Sequence, residues 1–284
     1  MPLRSSTPRP TRTAVPTPDL ALDVSVRSDV GCVRAVNEDD GRFVRPGTPA
    51  QRSSHGLLAL VADGMGGHDA GDVASRLAVD GIAASYYTSP PPSDPHQALE
   101  TALESANRTV HKTATDQQAS MGTTCVALVL RDGRAFAAHV GDSRCYRLRG
   151  DRLEALTQDH SVVGELVARG LLTSEQARLH EERHLITRAL GLHETVEVDT
   201  WSAPLSVEEG DVFLLSTDGL HDLLHPAEIQ AALSVGSAAL ATERLIDRAR
   251  ALGGPDNITT VVIRVEPPRP PRATRPTRPV SAEA

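Results

Sequence analysis

Six acidic residues are distinguished by their neighbours. Asp63 ends the apolar run at residues 57–62 and is followed by Gly64, Met65, Gly66 and Gly67. Asp218 ends a second apolar run, residues 212–217, and precedes Gly219. Asp256 sits in Gly253-Gly254-Pro255-Asp256-Asn257, just ahead of the apolar run 258–265. Glu38 and Asp39 lie in the segment VNEDD, and Asp142 lies in HVGDSR. Taken singly, each has a plainer explanation. Glu38-Asp39-Asp40 reads as a solvated turn, and Asp-Gly pairs favour turns for backbone reasons. Asp142 and Asp256 read as turn caps. Taken together, they point elsewhere. Asp63 and Asp218 terminate strongly apolar runs, where an uncompensated buried carboxylate is costly. Two carboxylates about 4 Å apart repel by about 4 kcal/mol at an effective dielectric of about 20. Divalent cations remove that penalty, and an all-oxygen donor set without Cys or His selects Mg²⁺ or Mn²⁺ over zinc. A carboxylate bridging two such ions would generate a hydroxide nucleophile and clamp a phosphoryl oxygen. These residue types therefore suit metal-assisted hydrolysis.

Such a site needs elements that bring distant carboxylates together. Residues 57–62 are apolar at every position and predict a strand buried on both faces. The glycines behind Asp63 permit positive φ and close approach to an ion or phosphate. Ala70, Val73, Ala74, Leu77, Ala78 and Ile82 then fall at helical spacing, which predicts a helix over about 70–87. A proline-rich stretch, 89–95, separates it from a second helix with Leu99, Ala102, Leu103, Ala106 and Val110 on one face. Strands are predicted at 23–28, 123–130, 134–140, 145–148, 196–201, 212–216 and 258–265, with Asp132-Gly133 as a hairpin turn. Residues 157–190 are more polar and partly helical, and Thr173 with Gln176 fits a capping box. Further helices open at Pro226 and cover 239–251. Helices in pairs between groups of hairpin strands indicate α+β with antiparallel sheets rather than alternating βαβ units.

The bulk properties set limits. The 284 residues are 39% apolar and 23% charged, ordinary for a soluble globular chain. Only 2% are aromatic, so Leu, Val, Ile and Ala must fill the core. A net charge of −8 argues against nucleic-acid binding, which favours a basic face. Three cysteines without a CxxC pair suggest a reducing compartment. Cys125 and Cys145 lie in strand-like runs and read as core packing. No run approaches the roughly 18–20 apolar residues that span a bilayer, nor is there an apolar signal-peptide core. A cytoplasmic location is expected. Residues 1–20 and 267–284 are rich in Pro, Arg and Thr and read as disordered tails around one domain, 21–266. Their arginines suit either docking to an acidic partner or plain solvated linkers.

The chain resembles the metal-dependent PPM/PP2C serine/threonine phosphatases, most closely the stand-alone bacterial type. The resemblance rests on segments that follow one another in order: SDVGCVRAVNED (28–39), ALVADGMGGHDAGDVAS (59–75), MGTTCVALVL (121–130), HVGDSRCYRLR (139–149), LTQDHS (156–161), ITRALG (186–191), LLSTDGL (214–220) and GGPDNIT (253–259). It implies a four-layer αββα sandwich, two antiparallel sheets flanked by helix pairs. It also implies two Mn²⁺ or Mg²⁺ ions, with a third and weaker site. Asp63 would bridge the pair, with the Gly64 carbonyl as a further ligand, and Asp218 and Asp256 would complete the first ion. Glu38 would serve the second, with Asp39 holding its waters, and Asp142 with Asp218 would form the third site. Asn257 would support these ligands. Arg34 would grip the substrate phosphate through its forked guanidinium. Residues 157–190 would form a flap beside the site. The implied substrates are phosphoserine and phosphothreonine proteins, including a cognate kinase, and a monomer without a membrane anchor is expected. No Cys or Ser sits in a nucleophile motif, so no phosphoenzyme is expected. Two departures stand out. Met65 occupies the place where the eukaryotic branch has a histidine proposed as general acid. A water of the metal site is the expected proton donor instead, with His68 as the side-chain alternative. Asp72 stands where relatives commonly carry Glu, and little effect is expected.

Overall fold

In the computed structural model, which describes residues 21–66 and 70–267, every strand pairing is antiparallel. The chain begins with β1 (Ala21–Asp29) and β2 (Asp39–Val44), then passes through the short helix α1 (Pro49–His55) into β3 (Leu57–Gly66). Helices α2 (Ala70–Thr88) and α3 (Pro95–Gln117) follow. Asp94 caps α3 by accepting from the His96 N–H, and Pro95 fits the first turn, so the proline-rich stretch ends in a helix start. Next come β4 (Met121–Thr123), β5 (Cys125–Arg131), β6 (Arg134–Val140), β7 (Arg144–Arg149) and β8 (Arg152–Ala155). Asp132 and Gly133 both take positive φ between β5 and β6, as a tight hairpin turn requires. The polar stretch holds α4 (Val162–Ala168) and α5 (Ser174–Arg178), the latter opened by the Thr173/Gln176 capping box. The chain closes with β9 (Asp199–Thr200), β10 (Leu205–Ser206), β11 (Val212–Ser216), α6 (Asp218–His221), α7 (Pro226–Leu233), α8 (Ala238–Ala251) and β12 (Ile258–Glu266).

One sheet runs β1-β12-β11-β7-β8 and the other β10-β6-β5-β3-β2, with β4 and β9 attached to β3 and β6. Alternation along the strands assigns their faces. Leu58, Leu60 and Ala62 of β3 pack with α2 and α3, while Ala59 and Val61 face Phe213, Leu215, Val261 and Ile263 of the other sheet. The opposite face of that second sheet packs against α7 and α8 through Leu214, Val262, Ile229 and Leu245. The result is three apolar layers in a four-layer αββα sandwich. Strands buried on both faces explain why residues 57–62 carry no polar side chain. Cys125 and Cys145 are buried in two of these layers, as core packing predicts, and Cys32 is exposed.

Four local expectations need correction. The strand does not stop at Asp63. β3 continues to Gly66, exchanging its partner β5 for β4, and Asp63 sits at the changeover. Glu38-Asp39-Asp40 is not a free turn, because Asp39 opens β2. The strand predicted at 196–201 shrinks to Asp199–Thr200, which pairs with only Ala138 and His139 at the sheet edge. Asp218-Gly219 opens a short helix rather than a turn. The tails at 1–20 and 268–284, and Gly67 and His68, lie outside the described residues. Among the described residues, no helix is long and apolar enough to cross a membrane.

Candidate metal centre

Both sheets deliver carboxylates to one end of the sandwich. β3 brings Asp63, β2 brings Asp39 and β11 leads into Asp218, while Asp256 and Asn257 precede β12. Asp142 lies in the turn between β6 and β7, and Arg34 and Glu38 lie in the loop between β1 and β2. Together with Gly64, all of these except Asp39 line one cleft of about 470 Å³. Asp39 stands directly opposite Asp63 in the β2–β3 register, and its Oδ2 accepts a 2.9 Å bond from the Thr217 hydroxyl. Like charges directly opposite each other in an antiparallel pair destabilise a sheet. At the changeover, Thr124 takes over the ladder's bonding. Its hydroxyl accepts from the Asp63 N–H at 3.1 Å, and its N–H donates to the Asp63 carbonyl at 2.9 Å.

Burial and mutual repulsion dominate the electrostatics. Burial, then Asp218 and Asp39, push the Asp63 carboxyl well above the ordinary range. Burial and Asp218 do the same to Asp142. Asp39 is pushed up to about 8, mainly by burial, against the nearby Thr259 and Thr217 hydroxyls, which favour its ionised form. Asp218 rises to about 6 through burial, then Asp222 and Asp256. Oδ1 of Asp39 and Oδ1 of Asp218 are buried without a hydrogen-bond partner. Among the described residues no basic side chain pairs with Asp39, Asp63, Asp142 or Asp218, and Arg34 pairs only with Asp256, at 2.7 Å. Buried carboxylate oxygens without counter-charge or donor fit hard divalent cations.

The backbone is shaped around the same point. A Cβ on Gly64 would overlap the Gly71 carbonyl and lie 2.5 Å from that of Glu38, so only glycine lets β3 and α2 meet here. Asn257 ties the Arg34 loop to β12. Its Nδ2 donates to the Val30 and Val36 carbonyls, each at 3.0 Å, and its Oδ1 accepts from the Glu38 N–H at 2.8 Å. The supporting role that the resemblance implies for Asn257 thus has a geometric basis. Some neighbours of the site were not singled out from sequence. Thr124, His184 and Ile186 also line the cleft. Asp72, expected to matter little, acts on Glu38 and has a buried Oδ1 without a partner.

The family model described as protein phosphatase 2C matches residues 35–252. The chain belongs to the protein phosphatase 2C family. Protein phosphatase PhpP of Streptococcus pneumoniae is 33% identical over 246 residues, covering 85% of this chain and 97% of that protein. The crystal structure of Mycobacterium tuberculosis serine/threonine phosphatase PstP/Ppp superposes with a TM-score of 0.76 at 37% identity, covering 86% of this chain and 99% of that one. The PstP catalytic domain in complex with two manganese ions gives 0.74 at 35% identity, covering 88% of this chain and all of that one. Within this phosphatase 2C chain, Arg34 lies just before the matched span and Asp256 and Asn257 just after it.

Proposed function

We propose that this chain is a metal-dependent protein phosphatase that hydrolyses phosphoserine and phosphothreonine and opposes a serine/threonine kinase. The observation that carries it is the convergence of Asp63, Asp142 and Asp218, without protein counter-charge, in one cleft with Arg34 at the rim, and with Asp39 opposite Asp63 in the sheet. The relatives' names and the manganese-bound PstP domain support the same reading.

Asp63 and the Gly64 carbonyl, with Asp218 and Asp256, would hold one ion. Glu38 and Asp39 would serve the other, and Asp142 with Asp218 a weaker third. Hard cations held there would supply charge neutralisation and would lower the pKa of water enough to provide a nucleophile near neutral pH. The chain's own residues bind and orient. Arg34, released from Asp256 once a cation engages that carboxylate, offers its fork to two phosphoryl oxygens. Asn257 fixes the loop carrying Arg34 and Glu38. Met65 lines the cleft but has no proton to give, so in this reading a water of the site would protonate the leaving alkoxide.

The test is hydrolysis of a phosphothreonine peptide beside nucleotides and sugar phosphates, across Mn²⁺, Mg²⁺ and chelator. Faster, metal-dependent peptide hydrolysis supports the proposal. Equal or faster turnover of the small phosphates makes the chain a small-molecule phosphatase or nuclease. Metal binding without any turnover makes it a regulatory module.

A further inference from the structure

His139 on β6, Asp199 on β9 and His160, between β8 and α4, gather at the edge of the sheet that holds β3. Both histidines are buried, and their rings stack with centroids 4.6 Å apart. Two histidines and a carboxylate have the donor types of a zinc-class site, but the hydrogen bonds place a proton where an ion would have to sit. His139 Nε2 donates to the Gln158 carbonyl at 2.8 Å. The Gly141 N–H donates to His160 Nδ1 at 3.1 Å, which requires a lone pair on that atom. Burial, His139 and Arg188 all disfavour the charged form of His160, so the one proton of its neutral ring sits on Nε2. That nitrogen makes no hydrogen bond of good geometry among the described residues, but it lies 3.2 Å from Asp199 Oδ2, whose negative charge favours a proton there. The other Asp199 oxygen accepts from Arg188 Nη1 at 2.7 Å. Arg188, Asp199, His160 and Gly141 therefore stand in a row, with Arg188 anchoring Asp199 and the Asp199 charge facing the His160 nitrogen opposite the one that accepts from Gly141.

Its end point is next to the cleft. His160 grips both polar groups of Gly141, because its backbone N–H also donates to the Gly141 carbonyl, at 3.0 Å. Gly141 has φ of +99°, and a Cβ there would lie 2.6 Å from the Thr124 side chain, so the peptide has one tolerated path. Asp142 follows directly, and its carboxyl faces Asp218. The His160 carbonyl accepts from the Thr187 N–H at 2.7 Å, at the base of the stretch that brings His184 and Ile186 to the cleft. We propose that His160 is a positioning residue. Its imidazole, in the Nε2–H tautomer that the neighbouring Asp199 charge favours, accepts from the Gly141 N–H, fixes that peptide and so aims Asp142 into the cleft. The proposal rests on the phosphatase reading for its kinetic consequences, but not for its tautomer.

Isosteres separate this role from simple packing. Asparagine places its amide oxygen where Nδ1 lies, whereas glutamine reaches the Nε2 position. His160→Asn should therefore keep most of the wild-type kcat, while His160→Gln should lower it about 10- to 100-fold, the usual cost of losing an outer-shell partner. In Asp199→Asn, Arg188 holds the amide oxygen and the amide NH₂ faces His160. That favours the Nδ1–H tautomer and sets two donors against each other at Gly141. Asp199→Asn should then lose more kcat than Asp199→Ala despite its closer shape, an order that packing alone would not give. Nitrogen NMR of the His160 ring should show Nε2–H in the wild type and Nδ1–H in Asp199→Asn. Equal losses in both His160 variants, a wild-type kcat in Asp199→Asn, or an Nδ1–H tautomer in the wild type would overturn it. Should the His160 variants fail to fold by circular dichroism, the half-exposed Asp199 pair and the NMR carry the test. A wild type without turnover defeats the phosphatase reading, and the ring tautomer still decides this one.

Discussion

Arg34 and Asp256 hold each other at 2.7 Å across the rim of the cleft, although each has a second candidate partner. Arg34 is half exposed and free to swing to a phosphate once Asp256 engages a cation. Arg34→Ala is therefore expected to raise KM for a phosphothreonine peptide about tenfold or more, in line with about 1.5–3 kcal/mol for a charged hydrogen bond. The change in kcat should be smaller. Steady-state kinetics at saturating Mn²⁺ separate the two, and an unchanged KM removes Arg34 from phosphate binding. Asn257 is buried and spends its amide on Val30, Val36 and Glu38. Asn257→Ala should cost about 2–3 kcal/mol of stability at roughly 1 kcal/mol per net bond; an unshifted denaturation midpoint would contradict that. Asp63 and Asp218 are legible in sequence because each adjoins an apolar run and a glycine, and Asp256 lies within two residues of both. Asp39 is legible only as a member of the VNEDD motif, since its burial comes from standing opposite Asp63 on another strand, a fact that local pattern does not encode. His184 is equally silent, entering from a polar stretch without periodicity.

At the scale of elements, strand ends carry the carboxylates, so their repulsion is built into the sheets. Burial holds Asp39 near 8, and Asp63 and Asp142 well above the ordinary range. In the unfolded chain the same carboxyls ionise near 4. Between those limits the metal-free native state binds more protons than the unfolded chain, so stability falls as pH rises. The buried His139, His160 and His221 act in the opposite sense, because burial lowers their pKa. Their contribution is essentially complete by about pH 7, since the unfolded residue titrates near 6.5. The chelated protein's Tm should therefore decline from about pH 7 to about pH 8, and Mn²⁺ should flatten or reverse that slope because cation binding displaces protons. Thermal scans with and without chelator measure it, and a chelated Tm that climbs over this interval is the contrary result. The long helices and the central strands were readable from period and caps. The edge pieces were not: β9 has only two paired residues, and β2 (DDGRFV) has no clean alternation.

For the whole molecule, apolar runs without alternation reveal burial on both faces but not what covers them. An α/β fold with a parallel sheet would satisfy the same pattern. The Asp132-Gly133 hairpin argues for antiparallel pairing, and the ordered family motifs imply the four layers that the structure then displays. The sandwich explains why the carboxylates converge. Two sheets packed face to face bring Asp63 of β3 and Asp218 at the end of β11 together from opposite layers, close enough for Asp218 to push the Asp63 carboxyl up by repulsion. That pairing of like charges makes cation binding a property of the fold rather than of one loop. The most direct measurement counts bound Mn²⁺ and phosphothreonine-peptide turnover in the wild type and in Asp63→Asn. The wild type should bind at least two ions, as the PstP domain does, and turn over. Asp63→Asn should stay folded by circular dichroism, bind fewer ions and show no measurable turnover. Turnover that survives in Asp63→Asn, or in the wild type under chelator, would contradict the account.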